Sequence, residues 1–260
     1  GGPAEKIFKH RIGPVQTVSL KTAVKECDWL LTGTGWQTDL EWQALREAQS
    51  AGKHTVTFLD HWVNYKNRFI RNGVECLPNE IWVGDQHAFS LARNTFPDIS
   101  VRLIENPYFK YFLKEFENVS AISRVSRGNK LNVLFVCEND SEKFYKEHPI
   151  RFLMSNLDSL GADIDQILIR PHPSEEADKY SWVHQEFGCT VSVSSGQPLL
   201  NEIVESDIVA GCSSMAMVLG LLAQRRVISC IPNNEIPLTL PFKEIELLSD
   251  IIKRSGGKIE

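Results

Sequence analysis

The sequence has no long apolar run, no excess of positive charge and no paired cysteine spacing, and each absence removes a class of function. The longest apolar stretch, Met215 to Ala223, stops at Gln224-Arg225-Arg226, short of the roughly 18–20 residues a membrane helix needs. Lysine and arginine number 28 against 33 aspartates and glutamates, for a net charge of −5. The cations are scattered along the chain and form no stripe, so no nucleic acid partner is expected. The six cysteines, Cys27, Cys76, Cys137, Cys189, Cys212 and Cys230, include no Cys-x-x-Cys, which argues against a zinc site and a disulfide framework. Cys137, Cys189 and Cys230 stand in or beside apolar strand-like runs and read as small buried hydrophobes in a reduced, cytoplasmic setting. His10, His54, His87, His148 and His184 lack metal-ligand spacing, so no metal is expected. No signal peptide opens the chain, and Gly1-Gly2-Pro3-Ala4 need not be its native beginning. The sequon Asn118-Val119-Ser120 carries no weight in a cytoplasmic protein.

What is present is an alternation. The 260 residues, 42% hydrophobic and 23% charged, suffice for two domains. Short apolar runs alternate with amphipathic helical stretches, the pattern of parallel sheets with helices on both faces. In the first half the expected strands are Trp29–Leu31, His54–Leu59, Glu80–Val83 and Val101–Ile104, with helices over Thr38–Ser50, Gln86–Asn94 and Tyr108–Phe116. A polar, basic stretch between Asn118 and Lys130 reads as the linker. The second half resumes with strands at Leu131–Val136, Gln166–Ile169, Thr190–Val193, Asp207–Ala210 and Val227–Ile231, and helices over Ser141–Leu160, Glu175–Phe187, Pro198–Glu205 and Ser214–Gln224. The expectation is an α/β protein of two Rossmann-like, doubly wound domains: residues 1–118, a linker over 119–130, and residues 131–260. The first half looks short, as though an opening strand were absent.

Ligands of open parallel sheets bind beyond the carboxyl ends of the strands, where the N–H groups of helix starts converge. Arg170-Pro171-His172-Pro173 leaves a strand into a loop whose two prolines restrict the backbone around His172. Ser174 is placed to cap the next helix, with Glu175 and Glu176 in its first turn. A fixed imidazole there donates to a phosphate oxygen or protonates a leaving group; the plain alternative is a stiff turn. Asp207 to Ala216 is again strand, small-residue turn and helix. Gly211 permits close backbone approach, and Ser213 and Ser214 with the following N–H groups suit a phosphate, or Ser214 is simply an N-cap.

The His-Pro motif followed by a serine pair at a strand-to-helix turn resembles the GT-B enzymes that use cytidine-activated donors: bacterial sialyl- and polysialyltransferases, Kdo transferases and teichoic-acid glycerophosphotransferases. The resemblance spans roughly residues 165–232. It implies two domains facing a cleft, with His172, Ser213 and Ser214 on the nucleotide phosphates and Arg170 and Gly211 beside them. It also implies a nucleotide-sugar co-substrate, CMP- or CDP-linked ahead of UDP-linked, and no other cofactor. The expected acceptor is a glycan, the setting surface polysaccharide biosynthesis, and peripheral membrane association stays compatible. A nucleotide-sugar 2-epimerase of the same architecture is similar in outline. The acidic pair followed by glycine that several sialyltransferase families use as acceptor-side base is not evident, and a catalytically silent sugar-nucleotide-binding module is a third reading.

In the first half, Thr32-Gly33-Thr34-Gly35-Trp36-Gln37-Thr38-Asp39-Leu40-Glu41 lacks the third glycine of a dinucleotide fingerprint and the lysine of a P-loop. Gly33 and Gly35 read as an acceptor-facing loop, with Thr38 or Asp39 as helix cap and Asp39 or Glu41 as candidate base. Between Leu59 and Phe69, Asp60 ends a strand, while His61, Asn64, Tyr65 and Arg68 recur near helical spacing. One face of that helix would then offer polar groups to a sugar on which Trp62 or Tyr65 stacks; the plain alternative is an amphipathic helix with Trp62 and Phe69 in the core and Arg68 paired on the surface. Asp60 joins His172 and Asp39 as a candidate catalytic residue. Glu202 and Glu205 read as solvated helix carboxylates.

Overall fold

The computed structural model describes residues 2–14, 16–35, 38–122, 130–139, 145–176, 178–232 and 236–256. The chain folds as two compact units, Gly1–Asn106 and Pro107–Glu260. The first contains α1 (Gly2–Ile12), α2 (Leu20–Glu26), β1 (Trp29–Thr32), α3 (Leu40–Ser50), β2 (His54–Leu59) and α4 (Tyr65–Arg68). It continues with β3 (Ile70–Arg71), β4 (Val74–Glu75), β5 (Glu80–Val83), α5 (Gln86–Thr95) and β6 (Ser100–Leu103). The second holds α6 (Pro107–Ile122), β7 (Leu131–Val136), α7 (Pro149–Met154), β8 (Ile164–Arg170), α8 (Trp182–Phe187) and β9 (Val191–Val193). After these come α9 (Leu199–Glu205), β10 (Ile208–Gly211), α10 (Met215–Leu222), β11 (Arg226–Ser229), β12 (Glu246–Leu247) and α11 (Leu248–Arg254).

The protein is α/β with two parallel sheets, as the alternation implies. The first sheet runs β1-β2-β5-β6, in one direction, with β3 and β4 forming a separate antiparallel pair. Register puts Thr32, Thr57, Leu59, Ile81 and Val83 on one face. They are buried there against α3 and α5. Trp29 and Leu31 lie on the other face, half-exposed.

The second sheet runs β12-β11-β10-β7-β8-β9, all parallel, and its chain order reverses between β7 and β10. Both faces are covered, so its central strands are near-continuous apolar runs. Val133 to Val136 and Ile208 to Ala210 are buried, each large aliphatic contributing about 1.5–3 kcal/mol. This core fixes where the strand ends fall.

Three expectations change. Helix α6 packs on α9 and α10, and Arg225 lies 5.4 Å over the Phe116 ring. Residues 107–118 therefore belong with the second unit, and α6 continues through 119–122 where a linker was expected; residues 123–129 lie outside the described ones. Of the long helix expected over Ser141–Leu160, residues 141–144 lie outside the described ones, and residues 145–160 hold instead the short α7 and a 3-10 turn over Leu157–Leu160. Pro149 lacks an N–H and starts a new helix, with the His148 ring accepting the Ile150 N–H at 3.2 Å. The helix expected from Glu175 begins only at Trp182, for a reason that lies in the His172 loop.

Candidate functional site

The reversal between β7 and β10 defines the crevice of the second sheet. Gly211, Val136 and Arg170 are in register across β10, β7 and β8, so the loops that follow leave from one level, side by side. Those loops carry Cys212-Ser213-Ser214, Cys137-Glu138 and Pro171-His172.

His172 is held from two directions. Its backbone N–H donates to Glu175 Oε2 at 2.8 Å. Glu175 in turn accepts from Lys179 Nζ at 2.6 Å and from the Tyr180 hydroxyl at 3.1 Å. With its carboxylate turned back onto the loop, Glu175 starts no helix. The ring Nδ1 accepts the Ser174 N–H at 3.2 Å and lies 2.6 Å from its hydroxyl. A nitrogen that accepts carries no proton in the neutral ring, so the proton sits on Nε2, leaving Nε2–H as the donor for an incoming oxygen.

The Gly211 turn ends β10, which pairs with β7, the strand between it and β8. A Cβ at Gly211 would lie 2.9 Å from both Val136 Cγ2 and Val136 O, so only glycine permits β10 this close to β7. Ser214 is the N-cap of α10, its hydroxyl accepting the Ala216 N–H at 3.2 Å. The Ser213 N–H donates to the Glu138 carboxylate, a partner invisible to sequence spacing because Glu138 lies 75 positions away. Burial raises the Glu138 pKa, and the Ser213 N–H opposes that shift. Tyr145 bonds the Cys212 thiol, and burial together with the neighbouring Cys212 and Glu138 raises its pKa strongly. Burial also pushes the thiols of Cys137 and Cys230 up to about 12, leaving both as neutral hydrophobes.

Arg170, expected on phosphate, donates through Nη1 to Glu202 Oε2 at 2.5 Å and to Gln197 O at 2.7 Å. Glu202 is not solvated as expected: it is buried and also accepts from the Ser194 hydroxyl. The pair ties the β9–α9 turn to the end of β8.

In the first unit, the Glu41 carboxylate accepts the Gly33 and Gly35 N–H groups at 2.9 and 2.5 Å. Arg68 donates to the Thr34 hydroxyl at 2.9 Å, and the space left around this loop is about 10 Å³. Asp39 does not cap α3 with its side chain; it pairs with Arg71 at 2.9 Å. Trp36 and Gln37 lie outside the described residues. Asp60 is exposed, 3.8 Å from buried Arg68. His61 Nδ1 accepts the Trp62 N–H at 3.0 Å, and burial followed by the charge of Arg68 lowers its pKa. The expected polar helix face is not formed, because Asn64 adopts a left-handed conformation and only Tyr65–Arg68 is helical. Trp62 and Tyr65 are core residues, Trp62 bonding Asp85 at 2.9 Å and Tyr65 stacking on Phe96, so neither ring offers a sugar platform.

No protein-family model matches the sequence, and no curated protein matches it. Among solved structures, UDP-GlcNAc 2-epimerase from Methanocaldococcus jannaschii is similar at 13% identity over 97% of this chain and 82% of that one, with a TM-score of 0.62. A Photobacterium phosphoreum α/β-galactoside α-2,3-sialyltransferase is 9% identical over 94% of this chain and 88% of its own, TM-score 0.49. The wall teichoic acid polymerase TagF is 14% identical over 68% of this chain, which spans only 49% of its length, TM-score 0.37. The fold of this chain is the two-sheet α/β fold shared with the epimerase.

Proposed function

We propose that the second unit binds a nucleotide-activated sugar at its strand-order reversal and that the protein transfers the sugar, or a related polyol phosphate, to a glycan acceptor. The observation that carries the reading is the alignment of the His172 and Ser213-Ser214 loops at level strand ends, with the His172 tautomer fixed to present Nε2–H. When a sugar is transferred, an acceptor hydroxyl oxygen attacks the anomeric carbon and its proton passes to a base. The bond from that carbon to the phosphate oxygen breaks, the electron pair leaving with the nucleotide. Nε2–H, the Ser213 N–H and the N–H groups at the start of α10 answer the charge that builds on that oxygen.

The fold shared with the epimerase favours a second reading, epimerisation or hydrolysis of a nucleotide sugar without any acceptor. Calorimetric titration with CMP, CDP, UMP and UDP tests the binding site, with cytidine nucleotides expected tighter. No binding of any at millimolar concentration removes both readings. NMR of UDP-GlcNAc or a CMP-sugar incubated without acceptor separates them, since only the second reading turns over donor alone.

A further inference from the structure

Lys21, Lys25, Arg46 and Lys53 are scattered in sequence but line one groove of about 810 Å³ in the first unit, where α2 packs against α3. The one carboxylate lining it is Glu47. Lys21 and Lys25 are four residues apart and therefore on one side of α2. Both are exposed, and neither forms an ion pair among the described residues. Arg46 lies 5.0 Å over the Trp42 ring, whose N–H is fixed on Phe69 O at 2.9 Å. Lys53 is anchored through Nζ to Cys27 O at 2.7 Å. The fold thus gathers four like charges and supplies one counter-charge, in a chain that is acidic overall.

We propose that this groove binds a small phosphorylated molecule, with Lys21, Lys25 and Arg46 on its phosphates and its organic part against Val24 and Trp42. An ammonium pair and a planar guanidinium held on a fixed indole match phosphate oxygens in charge and geometry. The volume lies within the roughly 300–1,000 Å³ of small-ligand sites and exceeds what one phosphate fills.

Fructose 1,6-bisphosphate, titrated calorimetrically into the full chain at low salt, is the probe. Expected is saturable binding, tighter than that of inorganic pyrophosphate and absent for fructose. It weakens at least tenfold in Lys21→Glu/Lys25→Glu and in Arg46→Glu, and does not change in Lys110→Glu/Lys114→Glu. Circular dichroism confirms that each variant is folded, and Lys21→Gln/Lys25→Gln replaces the charge reversal if that variant is not. The proposal is overturned by no binding of the bisphosphate, by binding indifferent to Lys21 and Lys25, by equal affinity for pyrophosphate, or by capture on phosphatidylglycerol-containing vesicles alone. The site is independent of the nucleotide reading, so Ser214→Asp, which keeps a capping oxygen for α10 but sets a carboxylate in the nucleotide loop, retains bisphosphate binding. Loss of binding in that folded variant places the ligand in the second unit and overturns this proposal while leaving the nucleotide site standing.

Discussion

Glu138→Gln tests the crevice most directly, because the carboxylate of Glu138 already occupies the Ser213 N–H, the donor assigned to a nucleotide phosphate. Glutamine keeps an acceptor oxygen for that N–H and removes only the charge. A phosphate drawn to the same donor would sit within about 5 Å of the carboxylate, where two unit charges repel by about 3 kcal/mol at an effective dielectric constant near 20. Solvent at the loop edge reduces this to about 1–2 kcal/mol, or about tenfold in affinity. The pH dependence follows from the raised pKa. Well below the folded value Glu138 is neutral and wild type and variant bind CDP alike; as pH rises through it, wild type loses affinity relative to the variant. Calorimetry of both proteins from pH 5 to pH 8 reads this, the variant correcting for titration of the nucleotide itself. Stability moves in the same sense. A carboxyl whose pKa folding raises favours the native state below its unfolded value, and that contribution disappears as pH climbs through the folded value. Glu138→Gln should therefore melt higher than wild type at pH 8. Equal or weaker CDP binding by the variant at pH 8 would refute the assignment of the Ser213 N–H to phosphate.

His172→Ala should lower kcat by about 10²–10³ with little change in donor KM if Nε2–H meets charge only as it builds on the leaving group; a raised KM at constant kcat would mean equal contact in ground and transition states. Gly211→Ala forces a Cβ to within 2.9 Å of Val136 and should cost about 1–3 kcal/mol, read by chemical denaturation. Glu202→Ala should cost about 3 kcal/mol by stranding Arg170, and the double variant Arg170→Met/Glu202→Leu should cost less than that single change; the reverse order would show that the pair is not acting as a buried ion pair. Ser214→Ala should cost about 1 kcal/mol through loss of the α10 cap, read by thermal melting, with any drop in nucleotide affinity showing a second role.

What the sequence determined by itself is local and periodic. Buried parallel strands are apolar runs, so His54–Leu59, Glu80–Val83 and Leu131–Val136 were legible to the residue, and Gly211 and Ser214 announced a strand-to-helix turn through residue types that few other conformations need. The helices that failed, over the described residues 145–160 and from Glu175, are those where a proline or a carboxylate bonding its own loop outweighed periodicity. Tertiary structure alone decided the partners. Glu138 reaches Ser213 only because β7 and β10 are neighbours, Arg170 meets Glu202 because β9 turns back into α9, and Tyr65 and Trp62 enter the core because Asn64 breaks the helix that would have exposed them. Sequence spacing carries no record of which strand lies beside which, since that order is set by how the apolar faces of the whole sheet are covered.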